Sequence, residues 1–196
     1  MSNFNYKNIQ MRLKNTRIHY GIIAITFHWM TFAFVIFMFP MGYIMTNMPL
    51  SPNKLEIYSW HKSLGFILLV LIVLRLSWRI FNHQPETPKS ISPAQKIAAR
   101  LVHYLLYTFL FALPITGWLM SSAAGFPVVV FKIFQLPDLI QSSESLRLVF
   151  LNIHFAIGIA MLSLILIHIL AAMYHHFYKR DIILHRILPI VRVNSK

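Results

Sequence analysis

The residues best suited to chemistry in this chain are its histidines, ten in 196 residues that contain no cysteine. Two of them, His154 and His168, lie inside the run NIHFAIGIAMLSLILIHILAAMYHH, which is long and apolar enough to cross a bilayer. On an α-helix their spacing of fourteen residues corresponds to about 21 Å of rise and places both within about 40° of one face. An imidazole in hydrocarbon is costly, so two on one stripe require something that satisfies both.

Three further apolar runs carry histidines at comparable depths. His28 lies early in the first run, His61 at the mouth of the second and His103 early in the third. With the spans alternating in direction, His61 and His154 share one level and His28 shares the other with a histidine late in the fourth run. Opposed imidazoles on separate helices can fill both axial positions of an iron held between them, a geometry suited to passing electrons rather than binding oxygen. Helical phase leaves both His168 and His175 as partners for His28. The fourteen-residue interval also leads from His61 to Arg75, from His28 to Gly42 and from His103 to Gly117. Gly65 and Gly158 follow His61 and His154 by one turn, and Ala24 and Ala172 flank His28 and His168. Small residues at such places give clearance for a macrocycle, although they also let membrane helices pack closely.

The elements that must position these groups follow from composition. The chain is 57% hydrophobic and 12% charged, which points to an integral membrane protein. Spans are expected at about 22–45, 60–80, 97–123 and 148–178, forming one all-α domain over residues 1–196, a four-transmembrane-helix bundle enclosing two haems. The stretch 127–141 is apolar but interrupted by Pro127 and Pro137, and reads as an interfacial helix rather than a fifth span. Pro40 and Pro114 fall inside spans and are expected to kink them. The first apolar run is too long for a signal-peptide core, so it is expected to remain as an anchor.

The charge balance, 18 basic against 5 acidic residues, flanks the apolar runs instead of forming a patch for nucleic acid. Lys7, Arg12, Lys14 and Arg17 precede the first span, Arg75, Arg79, Lys89, Lys96 and Arg100 surround the second loop, and Lys179, Arg180, Arg186, Arg192 and Lys196 follow the fourth span. Only Lys54, Lys62, Lys132 and Arg147 fall on the opposite side. Both termini are therefore expected in the cytoplasm. The lack of cysteine excludes covalent haem attachment and thiolate metal sites, and so few carboxylates argue against a carboxylate-bridged metal pair.

Several stretches together resemble the bacterial cytochrome b561 family: FHWM around His28, WHKSLG around His61, HYLLYTFLFALPITGWLMSSAAGFP from His103, LNIHFAIG around His154 and LIHILAAMYHHF around His168. The resemblance covers nearly the whole chain. It implies two non-covalent haem b groups, with His28 and His168 as ligands of the inner iron and His61 and His154 as ligands of the outer iron. It also implies electron transfer between a periplasmic donor and the quinone pool of the inner membrane; one branch oxidises superoxide and reduces ubiquinone. By the same resemblance His175 corresponds to a family histidine beyond the inner ligand and is the better quinone contact; His103, the other buried histidine at this level, is expected to contact quinone or a haem propionate.

Arg75, inside a span and on the His61 stripe, is expected to neutralise a propionate or to anchor to phospholipid. Arg79 is read as an interfacial anchor, His176 as facing headgroups, and Trp118 as packing near the outer level. Lys62 either draws in a small anion such as superoxide or snorkels from a helix end. His19, His83 and His185 have no assigned role. Two rival readings remain: a cytochrome b anchor subunit fed by a periplasmic dehydrogenase or hydrogenase, and a haem-free membrane protein using histidines as proton relays.

Overall fold

The computed structural model describes residues 13–88 and 91–188. Lys7, Arg12, Lys89, Arg192 and Lys196, counted above in the charge asymmetry, lie outside the described residues. Four long helices dominate: α1 (Ile22–Asn47), α2 (Pro52–Phe81), α3 (Pro93–Ala123) and α4 (Glu144–Met173). Each is long and apolar enough to cross a membrane.

Their ends are written locally in the sequence. Ser51 caps α2 by accepting from the Lys54 amide, with Pro52 in the first turn where no amide donor is needed. Ser92 and Gln95 form a reciprocal capping box at the start of α3, again followed by proline. Ser143 accepts from the Leu146 amide at the start of α4. At the far end of α1, Met48 is extended because Pro49 follows it. The end of α3 closes in a Schellman turn: Gly125 takes φ +71°, its amide donates to the Ser122 carbonyl at 3.0 Å, and the Phe126 amide reaches Ser121 O at 3.1 Å. Pro40 and Pro114 lie inside α1 and α3 as expected.

The helix backbones pack in sequence order, α1 on α2, α2 on α3 and α3 on α4. At the centre Val35, Leu68, Leu110 and Met161, one from each helix, form a buried apolar cluster with Leu71 and Ile72. Val35, Leu68 and Leu110 each lie seven residues after a histidine (His28, His61, His103), and Met161 lies seven from both His154 and His168. A seven-residue step keeps successive positions on one helix face. The histidines and this cluster therefore belong to one inward-facing seam on each helix, and the remaining faces are lipid-facing leucine, isoleucine and phenylalanine.

The stretch expected as an interfacial helix is instead a β-hairpin. β1 (Val129–Val130) pairs antiparallel with β2 (Phe134–Gln135). Its turn places Phe131 at φ 48° and Lys132 at φ 62°, the two left-handed positions of a primed hairpin turn. Three consecutive β-branched valines favour extended chain, and Pro127 and Pro137 leave too short a run for a helix. Tertiary contacts then fix the hairpin as a lid over α2 and α3. Val128, Val130 and Leu136 are buried against Phe66 and Trp118. The Phe131 amide donates to Ser63 Oγ at 2.9 Å, and Lys62 Nζ donates to the Phe126 carbonyl at 3.1 Å.

The opposite end is closed by the chain's outer segments. Trp29 Nε1 donates to the Ile187 carbonyl at 2.8 Å, Arg186 to the Glu86 carbonyl at 2.7 Å, and Asn15 to the His83 carbonyl at 2.8 Å. α4 runs on as a π-helix (Tyr174–Lys179) that ends at Arg180, in the left-handed region at φ 52°.

Candidate functional site

At the hairpin end, His61 of α2 faces His154 of α4 with ring centroids 6.5 Å apart and planes at 72°. His154 Nδ1 lies 3.0 Å from the Leu113 carbonyl and 3.1 Å from Thr116 Oγ1. A carbonyl only accepts, so Nδ1 carries the proton and Nε2 keeps its lone pair for a metal. Gly117 lets the ring sit there: a Cβ at that position would fall 3.2 Å from His154 Cε1. Gly42 faces His61 with more room, a Cβ there falling 3.5 Å from His61 Cε1. Among the described residues Nδ1 of His61 is buried with no hydrogen-bond partner.

At the other end, His28 of α1 faces His168 of α4 with centroids 6.3 Å apart and planes at 53°. Arg75 Nη2 lies 3.0 Å from His28 Nδ1. A guanidinium only donates, so this nitrogen accepts in the arrangement described. The Arg75 and Arg79 guanidinium carbons lie 5.3 and 5.7 Å from the centre of the Tyr107 ring. His103 stands 5.3 Å from His168, ring to ring.

Two imidazoles on opposite sides of one metal, each bonded at about 2.0 Å, place their ring centroids about 6 Å apart. Both couples fit that spacing. They also join helices other than those whose backbones pack closely, α1 with α4 and α2 with α4, so the space between them is bounded by side chains. The donor sets, neutral imidazoles with no thiolate or carboxylate beside them, suit iron in a macrocycle that supplies the remaining ligands.

A family model described as prokaryotic cytochrome b561 matches residues 19–189. The chain belongs to the prokaryotic cytochrome b561 family. It is similar to "Cytochrome b561 homolog 2" of Escherichia coli (strain K12), 33% identical over 91% of this chain and 95% of that protein. It is also similar to "Cytochrome b561 homolog 1" of the same organism, 28% identical over 83% of this chain and 92% of the relative. A third relative, "Probable superoxide oxidase CybB" of Yersinia pestis, is 27% identical over 66% of this chain and 73% of its own length. As a cytochrome b561, this is a four-helix, haem b-binding electron-transfer protein of a bacterial membrane.

The structure brings His28 to His168 rather than to His175, the alternative that helical phase had left open. His175 lies in the π-helix, where its Nδ1 pairs with Asp181 Oδ2 at 2.6 Å. The other Asp181 oxygen accepts from the Ile183 amide at 3.0 Å, so the carboxylate is fixed by the turn that follows the helix. Beside this pair is a cavity of about 50 Å³ lined by Ile91, Gln95, His175, Lys179 and Asp181. His176, expected to face the headgroups, is half-buried, its ring 5.0 Å from that of His185. Trp118 is fastened to the lid through the Pro137 carbonyl at 3.1 Å.

Asp181, Thr116 and Tyr107 were missed in the sequence. Asp181 carried a usable signal, since it is one of only five carboxylates and follows directly on a histidine-rich helix end. Thr116 and Tyr107 carried none, because their roles depend on how α3 rotates against α4 and α2.

Proposed function

We propose that this cytochrome b561 moves electrons across the bacterial inner membrane through two haem b groups, one held by His61 and His154 at the outer level and one by His28 and His168 at the inner level. In this reading the donor is periplasmic superoxide, the acceptor is ubiquinone at the inner side, and both termini stand in the cytoplasm. The observation that carries it is the repetition of one geometry at two depths, with ring separations of 6.5 and 6.3 Å. The name of the Yersinia pestis relative, "Probable superoxide oxidase CybB", supports superoxide as the donor.

Haem b, when bound, supplies reversible one-electron chemistry at iron. The chain's own residues orient and tune. The Leu113 carbonyl and Thr116 fix the His154 tautomer that presents a free lone pair. Arg75 supplies a cation inside the span, and a propionate is its natural counter-charge; turning toward one would release His28 Nδ1 to carry a proton. His103, against His168, borders the same region. Lys62, tied to the lid by Phe126, sets a positive charge next to His61 at the outer face.

Two superoxide ions each lose one electron to become dioxygen, and one quinone takes those two electrons and two protons to become quinol. The His175–Asp181 pair is placed to handle the protons. Asp181 holds the Nδ1 side of the ring, leaving Nε2 to exchange a proton, and the adjacent 50 Å³ cavity is large enough for water.

The test is to reconstitute the purified protein with ubiquinone, apply pulsed superoxide, and follow haem reduction and quinol formation. Fast haem reduction followed by quinol is expected, with two low-spin haems per chain and one lost in His154→Ala. A colourless protein, or one that keeps both haems without His154, would overturn the ligand assignment. Inertness to superoxide with both haems intact would move the donor to a protein partner.

A further inference from the structure

Between the C-terminal part of α2 and α3, on the inner side in the topology proposed above, lies a cleft of about 420 Å³ lined by Leu76, Arg79, Arg100, His103, Tyr107 and Phe111 among others. The α3 contributors recur at helical spacing from Arg100 to Phe111, one face about 16 Å long. Along it the character changes from cationic to apolar. Arg79 lies two residues before the end of α2 and Arg100 two turns into α3, both at the exposed mouth, and Leu76 and Phe111 lie further along the helices.

The mouth carries two cations, and among the described residues no carboxylate lines the cleft. Among the described residues the two ion pairs are Arg147–Glu144 and His175–Asp181, and neither reaches Arg79 or Arg100. Both arginines are exposed, and Arg79 lies over the Tyr107 ring, which leaves its edge N–H groups free for oxygen acceptors. A neutral quinone would leave both charges uncompensated, whereas a phosphodiester answers them bidentately. A free phosphate would leave the apolar depth unfilled.

We propose that this cleft is a binding site for an anionic phospholipid, its phosphodiester headgroup on Arg79 and Arg100 and an acyl chain running over Leu76 and Phe111. Basic pockets between membrane helices on the cytoplasmic side bind such headgroups. The site is coupled to the inner histidine couple by two contacts. Tyr107 carries Arg79 and also Arg75, the cation assigned above to an inner propionate, and His103 packs on His168. A bound anion would therefore lower the potential of the inner haem relative to its value in neutral lipid.

The experiment compares the holoprotein in nanodiscs of phosphatidylcholine with and without phosphatidylglycerol, reading retained phospholipid by native mass spectrometry and both haem potentials by redox titration. One arginine near a charged surface is worth about fivefold in anionic-lipid affinity and two about thirtyfold. Arg79→Gln/Arg100→Gln should abolish the preference for phosphatidylglycerol and the potential shift, Arg100→Gln alone should weaken them about fivefold, and Arg17→Gln, outside the cleft, should leave them unchanged. Equal binding and potentials in the two lipids would overturn the site. So would inorganic phosphate reproducing the shift in lipid-free detergent, since the ligand would then be a free anion. If the double variant loses haem, Arg100→Gln decides: haem loss there too, with no change in lipid preference, would assign the cleft to the haem propionates instead.

Discussion

Replacing Gly117 by alanine places a methyl 3.2 Å from Cε1 and 3.4 Å from Nδ1 of His154. Carbon contacts prefer about 3.5–4.0 Å, so the ring must retreat by about 0.3 Å or more. It has little freedom to do so, because Nδ1 is held at 3.0 Å by the Leu113 carbonyl and at 3.1 Å by Thr116. Forcing a methyl into such a packed position costs about 1–3 kcal/mol, offset by about 1 kcal/mol from replacing glycine inside a helix. The net effect is between neutral and about 2 kcal/mol destabilising. The matched control is Gly42→Ala, where the new methyl meets His61 Cε1 at 3.5 Å, an ordinary contact, and the helix gain of up to about 1 kcal/mol should be realised. Thermal unfolding of the purified holoprotein and a redox titration of the reduced α band read both changes. Gly117→Ala should unfold below Gly42→Ala and move the potential of the outer haem alone. Identical melting and potentials in the two variants, or a larger defect from Gly42→Ala, would refute the view that Gly117 exists to seat the His154 ring.

Thr116→Val removes one of the two acceptors at His154 Nδ1; it should weaken the donor strength of the imidazole and raise the outer potential by no more than about 40 mV, equivalent to about 1 kcal/mol for one electron, with the inner potential unmoved in the same titration. Arg75→Leu removes the guanidinium 3.0 Å from His28, and losing that positive charge should lower the inner potential while the outer stays put. Asp181→Asn, which keeps the hydrogen bond to Ile183 but loses the charge facing His175, should slow quinol formation with both haem spectra intact in stopped-flow absorbance. Ser63→Ala leaves the Phe131 amide without its acceptor, a cost of about 1–3 kcal/mol that should open the lid and speed tryptic cleavage after Lys132.

The histidine levels could be read from the sequence because long membrane helices keep a constant rise. A fourteen-residue interval means the same depth wherever it occurs, so His154 and His168 measured the bundle before its packing was known. The central layer has the same arithmetic: Val35, Leu68, Leu110 and Met161 all stand seven residues from histidines. The lid was not readable, since its strands are two residues each and its register is set by Ser63, sixty-eight residues from Phe131. Asp181 stood out as a rare carboxylate beside a histidine-rich helix end, but its pairing with His175 did not, because the six-residue step back is closed by the π-helical turn and left-handed Arg180.

The central layer bears on how charge crosses the membrane in the proposed function. The cluster between the two histidine levels consists of Val35, Leu68, Leu71, Ile72, Leu110 and Met161, with Phe27, Phe34, Phe39, Leu106, Phe109, Phe111, Leu113 and Ile165 packed around it. None of these side chains holds a proton or orders water, and a buried apolar layer stays dry. Electrons pass such a layer and protons do not. The protons for quinol must then come from the inner side, where the His175–Asp181 pair meets its small polar cavity. Electron movement inward without a proton transports net negative charge, so each electron crossing the layer works against or with the membrane potential by up to about 2.3 kcal/mol per 100 mV. Turnover in sealed proteoliposomes should therefore respond to an imposed potential and relax on adding an ionophore.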